Sequence, residues 1–497
     1  MDQVSHAIRP NSAEGGDPGT GNPPSGHPWW SHLAWLVVLV ASILTWLLLP
    51  YLAEEADVNA PAISPPGIQI EFTGRILMAM EDMFPGDNQL LVSQARPLLD
   101  GSLTDQLAYP VLVGLMLGDF EDALDSIDVC MEHIADSHLD REDKDQLESV
   151  ASDIRTILQQ RQDDAAAVVD LDSVQQSRAQ RILGWFGEFM VAEAGSNQVM
   201  LDQFRSASGR LFLTLIGAAV WFLSCLCIGF IGGIIFLVCA LSNVIRSRMG
   251  DSRLDHVVYL ETFGIWMFLV LLLRLPIAFL PEQMHILGGG FVMLMSLVVL
   301  AWPVLRRRGS FRQVCMDVGL RRSESPGSSS GSVIYESICG FFGYCMGIPL
   351  IIAGSIISLI LAWMYRQFYG EEPGMASHPI QDVIAGGGVP VIVQVYFVAC
   401  IVAPLVEEIL FRGVLYRYFR SIGRTLPNWL MIPIWIFLSS YIFAVIHPQG
   451  VIFAPTLMGI GVALAILREW RGSLVAPMVA HCVTNSVTIT LNLLLFS

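Results

Sequence analysis

The chain has 497 residues, of which 53% are hydrophobic and only 15% are charged, and its mean hydropathy is +0.56. This composition excludes a soluble globular protein of that length, and with a formal net charge of −17 no nucleic-acid partner is expected. The sequence contains runs of about 18 or more mainly apolar residues, and such runs predict helices that span a lipid bilayer. We therefore expect an all-α, polytopic membrane helix bundle. About nine spans are predicted, at 33–52, 211–242, 256–280, 286–304, 337–364, 389–411, 429–446, 451–467 and 473–496.

The N-terminal region predicts a tail followed by an anchor. Residues 1–32 are rich in Pro, Gly, Ser and Asn, which favours a disordered segment. The run at 33–52 has almost no basic residues before it, so it is more typical of a membrane anchor than of a cleaved signal peptide. Cleavage after the segment PYLAEEA, which ends at Ala56, is the alternative.

A polar insert at 53–208 separates the first two predicted spans. It contains 29 acidic and nine basic residues, a net charge of −20, so the rest of the chain sums to +3. Its apolar residues recur at helical spacing, with a Gly-Asp break at Gly118. The pattern predicts a small acidic helical domain outside the membrane. A peptide-binding module that attracts a basic partner is the alternative.

Basic residues predict the orientation of the chain. Arginines cluster in every second connection between the spans, and the short intervening connections near 281–285, 365–388 and 448–450 hold almost none. With the N-terminus inside, the positive-inside rule places the acidic insert on the non-cytoplasmic side. We therefore expect a multi-pass protein, in the cytoplasmic membrane if the chain is bacterial. Spans at 209–320, a linker at 321–336 and a C-terminal membrane unit at 337–497 complete the expected organisation.

Three charged residues interrupt an apolar run in the segment APLVEEILFRG. A charged side chain at the centre of a membrane helix costs roughly 2.5–3.5 kcal/mol on insertion scales. Glu408 and Arg412 are four residues apart, so they share a helix face and are expected to form a structural ion pair. Glu407 has no partner at that spacing and is the stronger functional candidate. Arg274, in LLLRLP near the end of a span, is expected to reach toward the membrane interface.

Three other polar residues lie on two further apolar spans of the same C-terminal region. His447 ends one span, whereas His481 and Asn485 are four residues apart on one face of the last span. A carboxylate beside an imidazole can hold a water molecule and take its proton. A second imidazole and an amide can stabilise an oxyanion. Alternatively, Glu407, His447 and His481 could bind Zn²⁺, whose water would then be the nucleophile.

The three motifs EEILFR, FAVIH and HCVTN fit EExxxR, FxxxH and HxxxN. In this order, the set resembles the type II CAAX endopeptidase family of intramembrane proteases, which also includes bacteriocin-processing and immunity members with the Abi domain. The resemblance covers about 390–497. It implies that Glu407 with His447 activates water, that His481 and Asn485 form the oxyanion hole, and that Glu408 and Arg412 are the structural pair.

Several functions remain open at this point. The resemblance favours an endopeptidase that cleaves a membrane-associated protein or peptide. A non-catalytic immunity or scaffold protein and a proton-coupled transporter are the alternatives, because buried carboxylates and histidines also serve those roles. A rough estimate of depth separates His447 from His481 by about 15 Å along the membrane normal, which favours a site without a tightly held metal.

Overall fold

The computed structural model of the chain describes residues 33–38, 40–41, 63–83, 88–281, 284–320, 333–369, 380–422, 427–447 and 450–496. These residues form helices joined by turns and contain no strand, which confirms the all-α helical fold. The expected tail and most of the expected linker lie outside the described residues. Of the first predicted span, residues 33–38 and 40–41 are helical, and the rest also lies outside.

The acidic insert contains a helical domain with its own hydrophobic core. Leu107, Ile127 and Ile154 are completely buried at its centre. The predicted break at Gly118 has a positive φ of 74°, and Asp119 next to it caps the following helix by accepting a hydrogen bond from the backbone N–H of Asp122. The helices are α1 (Ile68–Met83), α2 (Asn88–Ala95), α3 (Leu103–Pro110), α4 (Phe120–Asp136), α5 (Arg141–Asp163), α6 (Ser173–Leu183) and α7 (Trp185–Ala194).

One continuous helix, α8 (Gln198–Leu241), joins this domain to the membrane bundle. Its 44 residues extend about 66 Å, roughly twice the thickness of a bilayer core. Leu201 and Phe204 in its first turns are buried in the core of the acidic domain. The later turns present exposed apolar side chains, so the helix passes from the domain into the second predicted span without a loop.

The membrane part continues through a series of helices and short turns. Seven helical runs within the described residues are long and apolar enough to cross a bilayer: Gln198–Leu241, Val257–Ile277, His285–Arg307, Val333–Tyr369, Gly388–Ser421, Asn428–Val445 and Val451–Arg471. They coincide with seven of the nine predicted spans, and the count of nine stays a prediction. The helices are α9 (Val257–Arg274), α10 (His285–Ser296), α11 (Trp302–Arg307), α12 (Phe311–Val318), α13 (Val333–Tyr369), α14 (Ile380–Phe397), α15 (Ala403–Glu407), α16 (Tyr416–Ser421), α17 (Asn428–Val445), α18 (Ala454–Arg471) and α19 (Val475–Phe496).

Close contact between α13 and α18 forms the centre of the C-terminal unit. A Cβ atom added to Gly354 would lie 2.1 Å from the carbonyl oxygen of Pro455, and one added to Gly459 would lie 2.5 Å from that of Leu350. Both approaches are too short for any side chain, so glycine at these positions allows the two backbones to touch. This contact fixes the helices on which α19 packs.

A buried polar cluster around Asp317 joins the N-terminal spans to the C-terminal unit. Asp317 is completely buried and accepts hydrogen bonds from the backbone N–H groups of Arg253 (2.9 Å) and Leu254 (3.2 Å). Its carboxylate also accepts from the hydroxyl of Tyr259 at 2.8 Å and from the guanidinium of Arg417 at 3.4 Å. We call this set the Asp317 cluster.

Candidate active site

The predicted site lies on a chain segment with irregular helical geometry. A π-helical turn, Val398–Val402, precedes α15, and a second, Glu408–Leu415, follows it. Glu407 therefore ends a short α-helix, and Glu408 opens a π-helix. Turns of this type are rare and occur frequently at functional sites, because the extra residue in each turn redirects neighbouring side chains.

Glu408 and Arg412 form the ion pair predicted from their spacing. The Nη1 atom of Arg412 lies 2.8 Å from the Oε1 atom of Glu408, and both side chains are buried. The guanidinium also stacks on the ring of Phe443, with 4.3 Å between its central carbon and the ring centroid. Each charge therefore has a partner, and the aromatic face adds a cation–π contact.

His447 lies in the turn just after α17, which ends at Val445. Its Nδ1 donates a hydrogen bond to the backbone carbonyl of Phe443, and its ring packs against the Phe443 ring at 4.4 Å. A carbonyl can only accept, so Nδ1 carries the proton and Nε2 is directed elsewhere. The FxxxH motif thus has a physical basis, since Phe443 holds His447 by both its carbonyl and its ring.

His481 is held by Glu408, a contact that sequence spacing did not reveal. Its Nδ1 lies 2.9 Å from the Oε1 atom of Glu408, the same oxygen that accepts from Arg412. The carboxylate of this ion pair is an acceptor, so Nδ1 is the donor here too. The two residues are 73 positions apart in the chain, and only the packing of α19 brings them together.

Both imidazoles present Nε2 to the same oxygen of Glu407. The Oε2 atom of Glu407 lies 3.7 Å from Nε2 of His447 and 3.8 Å from Nε2 of His481. The estimated depth separation of about 15 Å is therefore wrong. His447 lies beyond the end of its helix, in the turn after Val445. Both distances exceed hydrogen-bond length, so a water molecule or a substrate group can bind between the three side chains.

Glu407 differs from its neighbour in accessibility and in partners. Its side chain is 16% exposed, whereas that of Glu408 is fully buried. Within the described part of the chain, Glu407 accepts no hydrogen bond. A buried carboxylate normally accepts several, so this one keeps its acceptor capacity for a group that is not part of the folded chain.

Asn485 lies one helical turn beyond His481 on α19. Its Nδ2 donates a hydrogen bond to the backbone carbonyl of Ala399 at 2.7 Å, inside the first π-helical turn. One hydrogen of the amide is therefore committed to holding α19 against this turn. The second hydrogen remains for another acceptor, and the predicted role as an oxyanion donor stays a prediction.

The fit of a metal ion can be tested on the same geometry. Zinc sites place nitrogen and oxygen ligands about 2.0–2.2 Å from the ion. In the ranges that the structure describes, no group of three or more His, Cys, Asp or Glu side chains has the arrangement of a metal site. The three predicted ligands, Glu407, His447 and His481, converge without meeting that geometry.

Comparison with known proteins bears on the same region. Residues 390–487 match the family model described as type II CAAX prenyl endopeptidase Rce1-like. We call residues 390–487, which are similar to this family, the Rce1-like region. This match confirms the resemblance that the three motifs predicted, and it covers Glu407, His447, His481 and Asn485. The acidic domain and the N-terminal spans lie outside it.

Two bacterial proteins are similar to parts of the chain. The membrane-embedded CAAX protease MroQ of Staphylococcus aureus is 26% identical over 141 residues, which are 28% of this chain and 54% of MroQ. An uncharacterised 24.3 kDa protein of Escherichia coli is 25% identical over 168 residues, 31% of this chain and 74% of that protein. The match thus spans about half the length of MroQ. No solved structure matches the chain significantly.

Proposed function

We propose that the chain is an intramembrane endopeptidase that hydrolyses a peptide bond by means of a water molecule activated by Glu407 and His447. One observation carries the proposal. An accessible carboxylate without a hydrogen-bond donor of its own faces the Nε2 atoms of two imidazoles, at 3.7 and 3.8 Å. The match of residues 390–487 to an endopeptidase family supports the same reaction class.

In the proposed reaction, a water molecule lies between Glu407 and His447. Glu407 takes one proton as the oxygen attacks the carbonyl carbon of the scissile peptide bond. The resulting oxyanion accepts hydrogen bonds from Asn485 and from the Nε2–H of His481 in its imidazolium form, because the Nδ1–H of His481 is donated to Glu408. Collapse of the tetrahedral intermediate breaks the C–N bond, and the proton passes to the leaving amine, so that one water yields one new carboxylate and one new amine.

Glu408, Arg412 and Phe443 act as positioning residues in this scheme. Glu408 fixes the ring of His481 through Nδ1, and the carbonyl of Phe443 fixes that of His447 in the same way. Arg412 neutralises Glu408 and covers the face of Phe443. With both Nδ1 atoms engaged, each imidazole presents Nε2 to the reacting groups. Such preorganisation lowers the cost of reaching the transition state.

The proposed substrate is a membrane-associated protein or peptide, because Glu407 lies on, and His447 lies just after, segments long and apolar enough to cross a bilayer. In a bacterium the enzyme would reside in the cytoplasmic membrane, with the acidic domain on the non-cytoplasmic side. A basic partner for that domain is part of the proposal, since the insert carries a net charge of −20.

A non-catalytic scaffold or immunity protein is the second candidate. It is favoured by the structural contacts of Glu408, Arg412, His481 and Asn485, all of which hold helices together. Purified protein in proteoliposomes, incubated with a library of membrane-anchored peptides, separates the two. We expect cleavage at one peptide bond by the natural chain and none by Glu407→Gln. Proton flux measured in the same vesicles tests the transporter alternative, and we expect none.

A further inference from the structure

Helix α9, which lies outside the Rce1-like region, runs antiparallel to the segment that carries Glu407. Near the beginning of α9, Tyr259 shares Asp317 with Arg417. Two turns later, the ring of Trp266 packs against that of Phe411 at 5.8 Å. Residue numbers thus rise along α9 as they fall along its partner. This register brings the last turn of α9 to the level of Glu407.

Arg274 is the final residue of α9. Side chains on a helix tilt toward its N-terminus, so the guanidinium reaches back from this position toward the level of Glu407. The negative charge of Glu407 acts on this guanidinium, in agreement with the packing register. The expectation that Arg274 reaches toward the membrane interface therefore leaves out the effect of the Glu407 charge.

Among the described residues, the guanidinium of Arg274 makes no hydrogen bond and no ion pair, and the residue is exposed. Arg412, by contrast, is paired with Glu408 at 2.8 Å and buried. An exposed arginine at the level of Glu407, without such partners among the described residues, is available to a ligand.

We infer that Arg274 is a substrate-binding residue that binds a carboxylate of the peptide substrate beside Glu407. A guanidinium presents a planar fork of N–H donors that matches the two oxygens of a carboxylate. Its positive charge also offsets the repulsion that Glu407 exerts on an anionic substrate. The carboxylate belongs either to the C-terminus of the substrate or to an acidic side chain near the scissile bond. The inference rests on the proposed peptidase activity and places part of its specificity in the N-terminal spans.

The test uses three matched peptides and the full-length protein in proteoliposomes. One peptide has a free C-terminal carboxylate, one has a C-terminal amide, and one has the amide together with an Asp near the cleaved bond. We expect the natural chain to prefer a carboxylate peptide by roughly 10- to 100-fold in KM, the range for a hydrogen bond to a charged group. The carboxylate peptide with the lower KM shows whether the bound carboxylate is the C-terminus or an acidic side chain.

Arg274→Gln should abolish that preference by raising KM for the carboxylate peptide while leaving kcat within about threefold. Arg274→Glu should reverse it, and Arg210→Gln, which changes an exposed arginine at the start of the second predicted span, should retain it. An equal preference in the natural chain and in Arg274→Gln would overturn the inference. So would an equal loss for all three peptides, which would indicate that Arg274 contacts lipid phosphate instead.

A binding measurement separates this inference from the proposed reaction. Fluorescence anisotropy of the same labelled peptides on the natural chain and on Arg274→Gln requires no turnover. If no peptide is cleaved, the proposed function fails. Tighter binding of the carboxylate peptide that depends on Arg274 would still support the inference. Cleavage together with binding that ignores both the carboxylate and Arg274 would refute the inference and leave the function intact. Melting temperatures of all variants show whether each one is folded.

Discussion

Two carboxylates in this bundle are supported in opposite ways. Asp317 accepts hydrogen bonds from two backbone N–H groups, a hydroxyl and a guanidinium, at distances from 2.8 to 3.4 Å. Glu407 faces two imidazoles at 3.7 and 3.8 Å and accepts no hydrogen bond from the described residues. Because the Asp317 carboxylate already accepts these hydrogen bonds, its role is to hold the fold together. Glu407 retains acceptor capacity, which is what a general base requires.

Glu408 lies between these two extremes. Its Oε1 atom accepts from both Arg412 and His481, but its Oε2 atom is buried without a partner among the described residues. It is structural, like Asp317, yet one of its partners belongs to the candidate site. The proposal therefore gives the three carboxylates different roles: Asp317 stabilises the fold, Glu408 positions His481, and Glu407 acts as the general base.

The largest effect is expected for His447→Ala. Loss of a positioned acid–base group typically costs about 10²- to 10⁴-fold in rate, so kcat for peptide cleavage should fall by that factor. Because His447 lies in a turn beyond its helix, the melting temperature should change little. His133→Ala, which alters an exposed histidine of the acidic domain, is the matched control. Equal activity of the two variants would remove His447 from the mechanism.

Asp317→Asn should act on stability rather than on chemistry. Removing one partner of a buried charged pair costs about 3–5 kcal/mol, because Arg417 would be left buried and uncompensated. We expect a marked drop in melting temperature, with normal specific activity in the protein that stays folded. Asp125→Asn, at an exposed position, should change the free energy of unfolding by less than about 0.5 kcal/mol. A stable but inactive Asp317→Asn protein would contradict the structural role.

Labelling of single cysteines tests the proposed orientation of the chain in the membrane. This orientation determines on which side of the membrane the acidic domain lies. In a background without the nine natural cysteines, one cysteine is placed near Asp140 in the domain and one near Gly309 beside the arginine cluster. An impermeant reagent should label the first from the non-cytoplasmic side and leave the second protected. Labelling of both from the same side would overturn the orientation and the nine-span count together.

The smallest effect is expected from chelation. Since the three candidate ligands do not form a metal-site arrangement, exhaustive chelation should leave peptide cleavage unchanged. Elemental analysis of the purified protein should accompany the assay. Stoichiometric zinc, with activity lost on chelation and restored by zinc, would instead make Glu407, His447 and His481 metal ligands.

Local spacing predicted the parts of the site that depend on one helix. The Glu408–Arg412 pair follows from a separation of four residues, and the break at Gly118 follows from glycine and the capping Asp119. The contact of His481 with Glu408 could not be predicted, because it depends on how α19 packs. Arg274 was interpreted from its place at a span end, and only the antiparallel register of α9 relates it to Glu407.

The number of spans shows a related limit. Helix α19 was predicted as a span but is not among the seven helices that meet the criteria of length and hydropathy. The criteria apply to the described residues alone, so the span predicted at 473–496 stays a prediction.

The most direct test of the separation between Glu407 and Glu408 measures cleavage and melting on two variants prepared side by side. Glu407→Gln should lose at least about 100-fold in kcat at an unchanged melting temperature, because it removes the proton acceptor and no structural partner. Glu408→Gln should lower the melting temperature first, because it leaves Arg412 buried without its counter-charge. Full activity in Glu407→Gln, together with a stable but inactive Glu408→Gln, would show that the two roles are reversed.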